Sequence, residues 1–191
     1  MNLLGILLSL VQLAAPASSS KPIERLCAKT PVTALSSTDA THIAGIFKNP
    51  GKSLIKRIGG QLSGDTLYLF PDGTYIYSEW ADISPDTIYD KGAWTYSAGI
   101  VRLVSDPEVK WEPGIDRQLV AFRRSSVPDE ILLIGITQRL ADFEEQAGDD
   151  PELMLLIVGK ERFKSVKASE VPKLKARLMK TGWNPKSHNH P

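Results

Sequence analysis

Several familiar sources of stability and chemistry are missing from this chain of 191 residues. Cys27 is its only cysteine, so no disulfide can form within the chain and the core must hold without staples. The chain has three histidines, and His188 and His190 sit near its end, too few ligands for a specific metal site. No G-x-S-x-G elbow is present, and Gly59-Gly60 lacks the pattern that would make it a phosphate-binding loop. Arg123-Arg124 and the basic C-terminal end lack interleaved aromatics, which argues against a nucleic-acid partner. No cofactor is expected. No apolar run approaches the roughly 20 residues that a membrane helix needs.

Charge is missing in one place with a meaning of its own. The first twenty residues carry no charged side chain. Within them Leu3 to Ala15 is an apolar run broken by Ser9 and Gln12, followed by Ala15-Pro16-Ala17 and three serines. That is the layout of a secretory signal peptide, with small residues where the peptidase reads. The expected organisation is a signal peptide over 1–17, an N-terminal extension over 18–41, one domain over 42–183 and a disordered tail over 184–191. Export to the periplasm or the outside follows, with no integral membrane segment left after processing. Charge elsewhere is uneven. Residues 159–191 hold nine Lys/Arg against two Glu, a local +7 in a chain of net +1, which leaves −6 for the rest. Facing its own acidic segment or solvent explains that end without a polyanionic partner.

What is present reads as strands and tight turns. Leu67-Tyr68-Leu69-Phe70 and Thr74-Tyr75-Ile76-Tyr77 are short β-prone runs around Pro71-Asp72-Gly73. Pro71 presets φ, Asp72 can cap its own backbone and Gly73 tolerates positive φ, so a type I turn with a glycine bulge is expected. Ala93 to Tyr96 and Ile100 to Leu103 flank Ser97-Ala98-Gly99, read as a second three-residue loop. Further strands are expected at His42–Phe47, Gln118–Arg123, Glu130–Thr137 and Leu153–Val158, with a weaker one at Phe163–Val166. Gln138 to Ala147 and Ser169 to Thr181 read as helices. In the second, Ser169 caps, Pro172 occupies the first turn and Gly182 ends it, with Val171, Leu174, Leu178 and Met179 as the apolar stripe. The fold expected is mainly β: a single antiparallel barrel of about eight short strands, with a sandwich as the alternative, plus a C-terminal α-helix.

Candidate functional residues gather around the stretch Ala81 to Lys91, which reads as the longest irregular connection in the hairpin region. Glu79, Trp80, Asp82, Asp86, Tyr89 and Asp90 surround it, the pairing of carboxylates and aromatics found in sugar sites. Tyr68, Phe70, Tyr75, Tyr77, Trp80 and Trp94 can line a cavity or fill a core, and only some can point inward, because a strand alternates its faces. The binding set expected is Tyr75, Tyr77, Glu79, Trp80, Asp82 and Trp94, with no catalytic or metal residues.

G-I-F at 45–47, L-x-L-x-P-D-G-T-Y from Leu67 to Tyr75, and K-G-A-W with a following V-x-L from Lys91 to Leu103 are also suggestive together. With the later R-F-K-S-V-x-x-S-E-V-P-x-L, the chain resembles small exported bacterial proteins of lipocalin-like β-barrel type. It departs from true lipocalins in lacking a second cysteine and the lipocalin sequence triplet. The resemblance supports the fold more than any activity. Because small barrels can enclose an apolar ligand, the function expected is a non-enzymatic binding module for an apolar small molecule or an envelope protein. A hydrolase acting on envelope polysaccharide through the loop carboxylates is the alternative.

Overall fold

A computed structural model describes residues 32–35, 43–49, 63–81, 84–109, 117–124, 127–135, 159–164 and 166–182. Nine strands are present among them: β1 (Val32–Ala34), β2 (Gly45–Asn49), β3 (Ser63–Leu69), β4 (Thr74–Ala81), β5 (Ser84–Ser97), β6 (Ile100–Ser105), β7 (Gln118–Arg124), β8 (Val127–Gly135) and β9 (Gly159–Lys164). A 3-10 turn over Ala168–Glu170 leads into helix α1 (Val171–Gly182). Every sequential pair from β2 to β9 is antiparallel, and β9 pairs back onto β2. The sheet is therefore an eight-stranded up-and-down barrel, as the run of short strands and turns implied.

The ninth strand, β1, was not expected. It falls inside the N-terminal extension and pairs antiparallel with β7, Val32 opposite Arg124 and Ala34 opposite Phe122. It fills the wall where β6 is too short, since β6 meets β7 only at Gln118–Val120.

Two layers of apolar side chains hold the barrel. Inside, Phe47, Leu67, Leu69, Val101, Leu103, Leu119, Ala121, Ile131 and Leu133 are buried, with Leu35 and Ile43 at the chain entry. Outside, α1 lays Val171, Leu174 and Leu178 against Ile46, Tyr68, Phe70, Ile76 and Ile88. Met179, expected in the stripe, is exposed instead. Because β3 and β4 are covered on both faces, their apolar residues run on without alternating. Ser169 is also corrected: it lies within the 3-10 turn, where Glu170 Oε2 accepts a hydrogen bond from the Lys167 backbone N–H at 3.3 Å.

Both hairpin turns lie at the same end of the barrel. Gly73 N–H donates to Phe70 O at 3.1 Å and Gly73 has φ 79°, so Phe70–Gly73 forms the expected turn. The second loop is shorter than expected. Ser97 pairs with Ile100, which leaves Ala98 and Gly99 as a two-residue connection with φ 50° and 79°. Two consecutive positive φ values are those of a type I′ turn, whose twist matches the strands it joins.

The largest correction concerns Ala81 to Lys91. β5 begins at Ser84, and Ala81 pairs with Ser84, so the described part of the stretch, Ala81 and 84–91, is strand rather than loop. Register shifts between Tyr77 and Ser78 and between Glu79 and Ala81 insert bulges opposite β4. Asp86 and Asp90, read above as loop acids, occupy with Pro85 a bulged strand that tolerates them. Of the remaining expectations, the weaker strand at Phe163–Val166 is met in part: β9 spans Gly159–Lys164, starting earlier although its sequence, GKERFK, has little β propensity. Cys27, His42, Asp82, Gln138–Ala147, Leu153–Val158 and the tail lie outside the described residues.

Candidate functional site

Antiparallel register sorts the inward side chains into rows across the barrel wall. Gly45, Leu69, Tyr75, Gly92 and Ser105 form one row across β2 to β6. Phe47, Leu67, Tyr77 and Asp90 form the next, and Asn49, Asp65, Glu79 and Thr87 the one beyond it. The inner surface thus passes from apolar to polar along the barrel axis.

Asp90 is the centre of the polar part. It is fully buried, and three donors converge on its two oxygens. Tyr75 OH donates to Oδ2 at 2.5 Å, Arg117 Nη1 donates to the same oxygen at 2.6 Å, and Ser105 Oγ donates to Oδ1 at 2.7 Å. Arg117 Nη1 also reaches the Tyr75 oxygen at 3.0 Å. Tyr75 and Ser105 each own one hydroxyl proton, and both protons go to Asp90. The 3.1 Å approach between the two hydroxyl oxygens therefore carries no proton of its own. Burial, and then the hydrogen bond to Asp90, push the Tyr75 pKa well above that of an ordinary phenol.

Gly92 makes this convergence geometrically feasible. It stands directly between Tyr75 and Ser105 in register, and a Cβ there would run into the Val104 carbonyl oxygen. The backbones of β5 and β6 come together at this point, which brings Ser105 within reach of the β5 carboxylate. One row further along, Tyr77 OH donates to Asp65 Oδ2 at 2.9 Å. Burial, then the charge of Glu79, raise the Tyr89 pKa.

The expected binding residues are divided among these places. Tyr75 and Tyr77 are inward, buried and hydrogen-bonded. Trp94 is inward and half-buried, but its ring closes the turn end of the barrel: Nε1 donates to Phe70 O at 2.8 Å, and its backbone N–H to Gly73 O at 2.7 Å. Glu79 is exposed at the polar end. Trp80 points out of the barrel, half-buried, with Lys48 Nζ 5.8 Å from its ring centre. The structure brings Tyr75 and Tyr77 together and separates Trp80 from them by the thickness of the wall. Arg117, Ser105 and Asp65 were not anticipated, and Asp90 appeared only as a loop acid. The bulge at Tyr89 hid it, because it resets the alternation from which an inward position would be read.

This arrangement is not a poised acid or base. Both Asp90 oxygens are occupied and no water-facing edge remains. Arg117 is different: its side chain is 40% exposed, so the part of the guanidinium not committed to Asp90 and Tyr75 faces away from the network. The donors there are held in orientation by a buried carboxylate. Among the described residues no group of three or more His, Cys, Asp or Glu side chains could hold a metal, and no helix is long and apolar enough to cross a membrane. No protein-family model, no curated protein and no solved structure matches this chain.

Proposed function

We propose that this protein is a non-enzymatic binding module that admits a small molecule with an apolar body through one end of its barrel. The observation that carries the reading is the inequality of the two ends. Consecutive antiparallel strands alternate direction, so 70–73, 98–99 and 125–126 join strands at one end. The three long intervals, 50–62, 106–117 and 136–158, all fall at the other, with the short interval 82–83. Binding surfaces concentrate where long connections ride on a rigid scaffold. An eight-stranded barrel is wide enough for packed side chains or one small ligand.

The inner rows add a direction. Leu67, Leu69 and Phe47 would meet an apolar body, while Asp65, Glu79 and the exposed part of Arg117 would meet a polar group nearer the long-interval end. The charge-free N-terminal segment supports export, and the likeness to exported lipocalin-like barrels agrees with such a role. The polysaccharide hydrolase alternative has no such support: the described part of its loop is strand, and Asp90 is buried and paired with Arg117.

Native mass spectrometry of the mature protein, purified gently from its own host, tests the reading. An adduct of small-molecule size that is displaced on unfolding is expected. A bare chain, or a protein-sized addition only, would overturn it.

A further inference from the structure

The wall of the barrel is incomplete without β1. β6 ends its pairing with β7 at Val120, and Ala121 N–H turns to Gly99 O at 3.0 Å. From Ala121 onward β7 has β8 on one side and only β1 on the other. Leu35, just after β1, drops into the inner core at 5% exposure. Its N–H donates to Ala121 O at 2.9 Å, and its carbonyl accepts from Tyr96 OH at 3.2 Å. Gly99 sits against that same carbonyl, where a Cβ would come within 2.9 Å. The slot is thus a built receptor for one extended segment with an apolar residue at its end.

The occupant is held by little. β1 is three residues long and, among the described residues, touches the barrel through one ladder, Leu35 and one tyrosine hydroxyl. Such elements open at far lower cost than the barrel as a whole. The slot cannot stay empty cheaply, because β7 would then present a bare edge beside an open core. Eight Cα steps separate Leu35 from Ile43, a reach of at most about 28 Å. We infer that β1 is an exchangeable strand, and that the slot beside β7 accepts β1 of a second copy of this chain. Every contact made within one copy is then remade between two, so exchange sacrifices no contact and yields a symmetric dimer whose two walls complete each other. The inference stands apart from the ligand reading and holds whether or not the barrel takes a guest.

Cross-linking tests it in the full chain with Cys27 replaced by serine. Thr33 and Arg123 are register partners, and opposed residues lie about 4.5–5.5 Å apart at Cα, within disulfide reach. Arg123 Nε makes no hydrogen bond among the described residues, so the substitution removes none seen at that atom. A chain carrying both Thr33→Cys and Arg123→Cys should close internally as a monomer when dilute. An equimolar mixture of the two single variants, equilibrated when concentrated and then oxidised, should give the mixed dimer as its main linked species. Leu35→Asp, added to the Thr33→Cys chain, should abolish it. A mixture that stays monomeric while the double variant closes internally would overturn the inference, as would homodimers without the mixed species. Failure of the double variant to close would overturn the slot itself.

Discussion

Asp90 and Asp72 have similar partners in opposite surroundings. Asp90 is held inside the barrel by Arg117, Tyr75 and Ser105. Asp72, in the turn at the closed end, is held by Lys175 Nζ at 2.7 Å and by Thr74, whose N–H and Oγ1 reach Oδ1 at 3.1 and 2.6 Å. Each therefore has one cation and hydroxyl donors at similar distances. Their side chains are 0% and 47% exposed. Contact geometry alone would rate the two sites alike. Desolvation separates them, because water can replace a lost partner at Asp72 and cannot reach Asp90. For Asp72, burial alone would raise the pKa, but the hydrogen bonds from Lys175 and Thr74 outweigh it and hold the carboxyl below its usual value.

Removing the cation from each site should show the contrast most plainly. Arg117→Ala leaves a buried carboxylate short of its charge partner, and about 3 kcal/mol of stability should be lost in urea unfolding. The half-exposed position of Arg117 sets this at the low end for buried pairs. Lys175→Ala should cost about 0.5–1 kcal/mol, including the loss of its ammonium from the face of Phe70, 4.9 Å away. Equal costs would break the comparison. Tyr75→Phe is next, expected to lose about 1–2 kcal/mol because Asp90 then lacks one of three donors.

The same tyrosine sharpens the contrast through pH. Its folded pKa is raised, so its contribution is complete below the unfolded phenol value of about 10 and is lost as pH rises past it. Asp72 has the opposite sign: its depressed pKa adds stability above about 4 that is lost as the solution is acidified. Tyr75→Phe should flatten the alkaline limb of the stability profile and leave the acid limb alone. An unchanged alkaline limb would remove Tyr75 as its source. The smallest effect lies outside both sites. Ala98 adopts φ 50°, a conformation glycine takes at no steric cost, so Ala98→Gly should stabilise the hairpin by about 0.5–1 kcal/mol. Loss of stability there would contradict the type I′ geometry.

Much of the outer plan was legible from local chemistry. The Phe70–Gly73 turn, the strand pairs around it and the helix stripe of Val171, Leu174 and Leu178 each follow from a few adjacent residues. Short-range rules suffice there, since turn φ values and periodic apolar positions are settled within about ten residues. The candidate site was less legible. Tyr75 and Tyr77 could be named as aromatics on a strand, but not their partners, because Ser105 and Arg117 lie 30 and 42 residues from Tyr75.

By itself the sequence determined that no disulfide forms within the chain, and also the alternation of strand and turn and the amphipathic helix, which follow from neighbouring side chains and their φ preferences. Only the tertiary structure decided that the strand at Phe163 starts as early as Gly159, that β1 completes the wall and that the residues around Pro85 pair with β4. Those outcomes depend on ring closure. Once seven strands have curled together, the hydrogen-bonding edges left open recruit whatever backbone can reach them, and intrinsic propensity is overruled by the cost of leaving an edge unpaired.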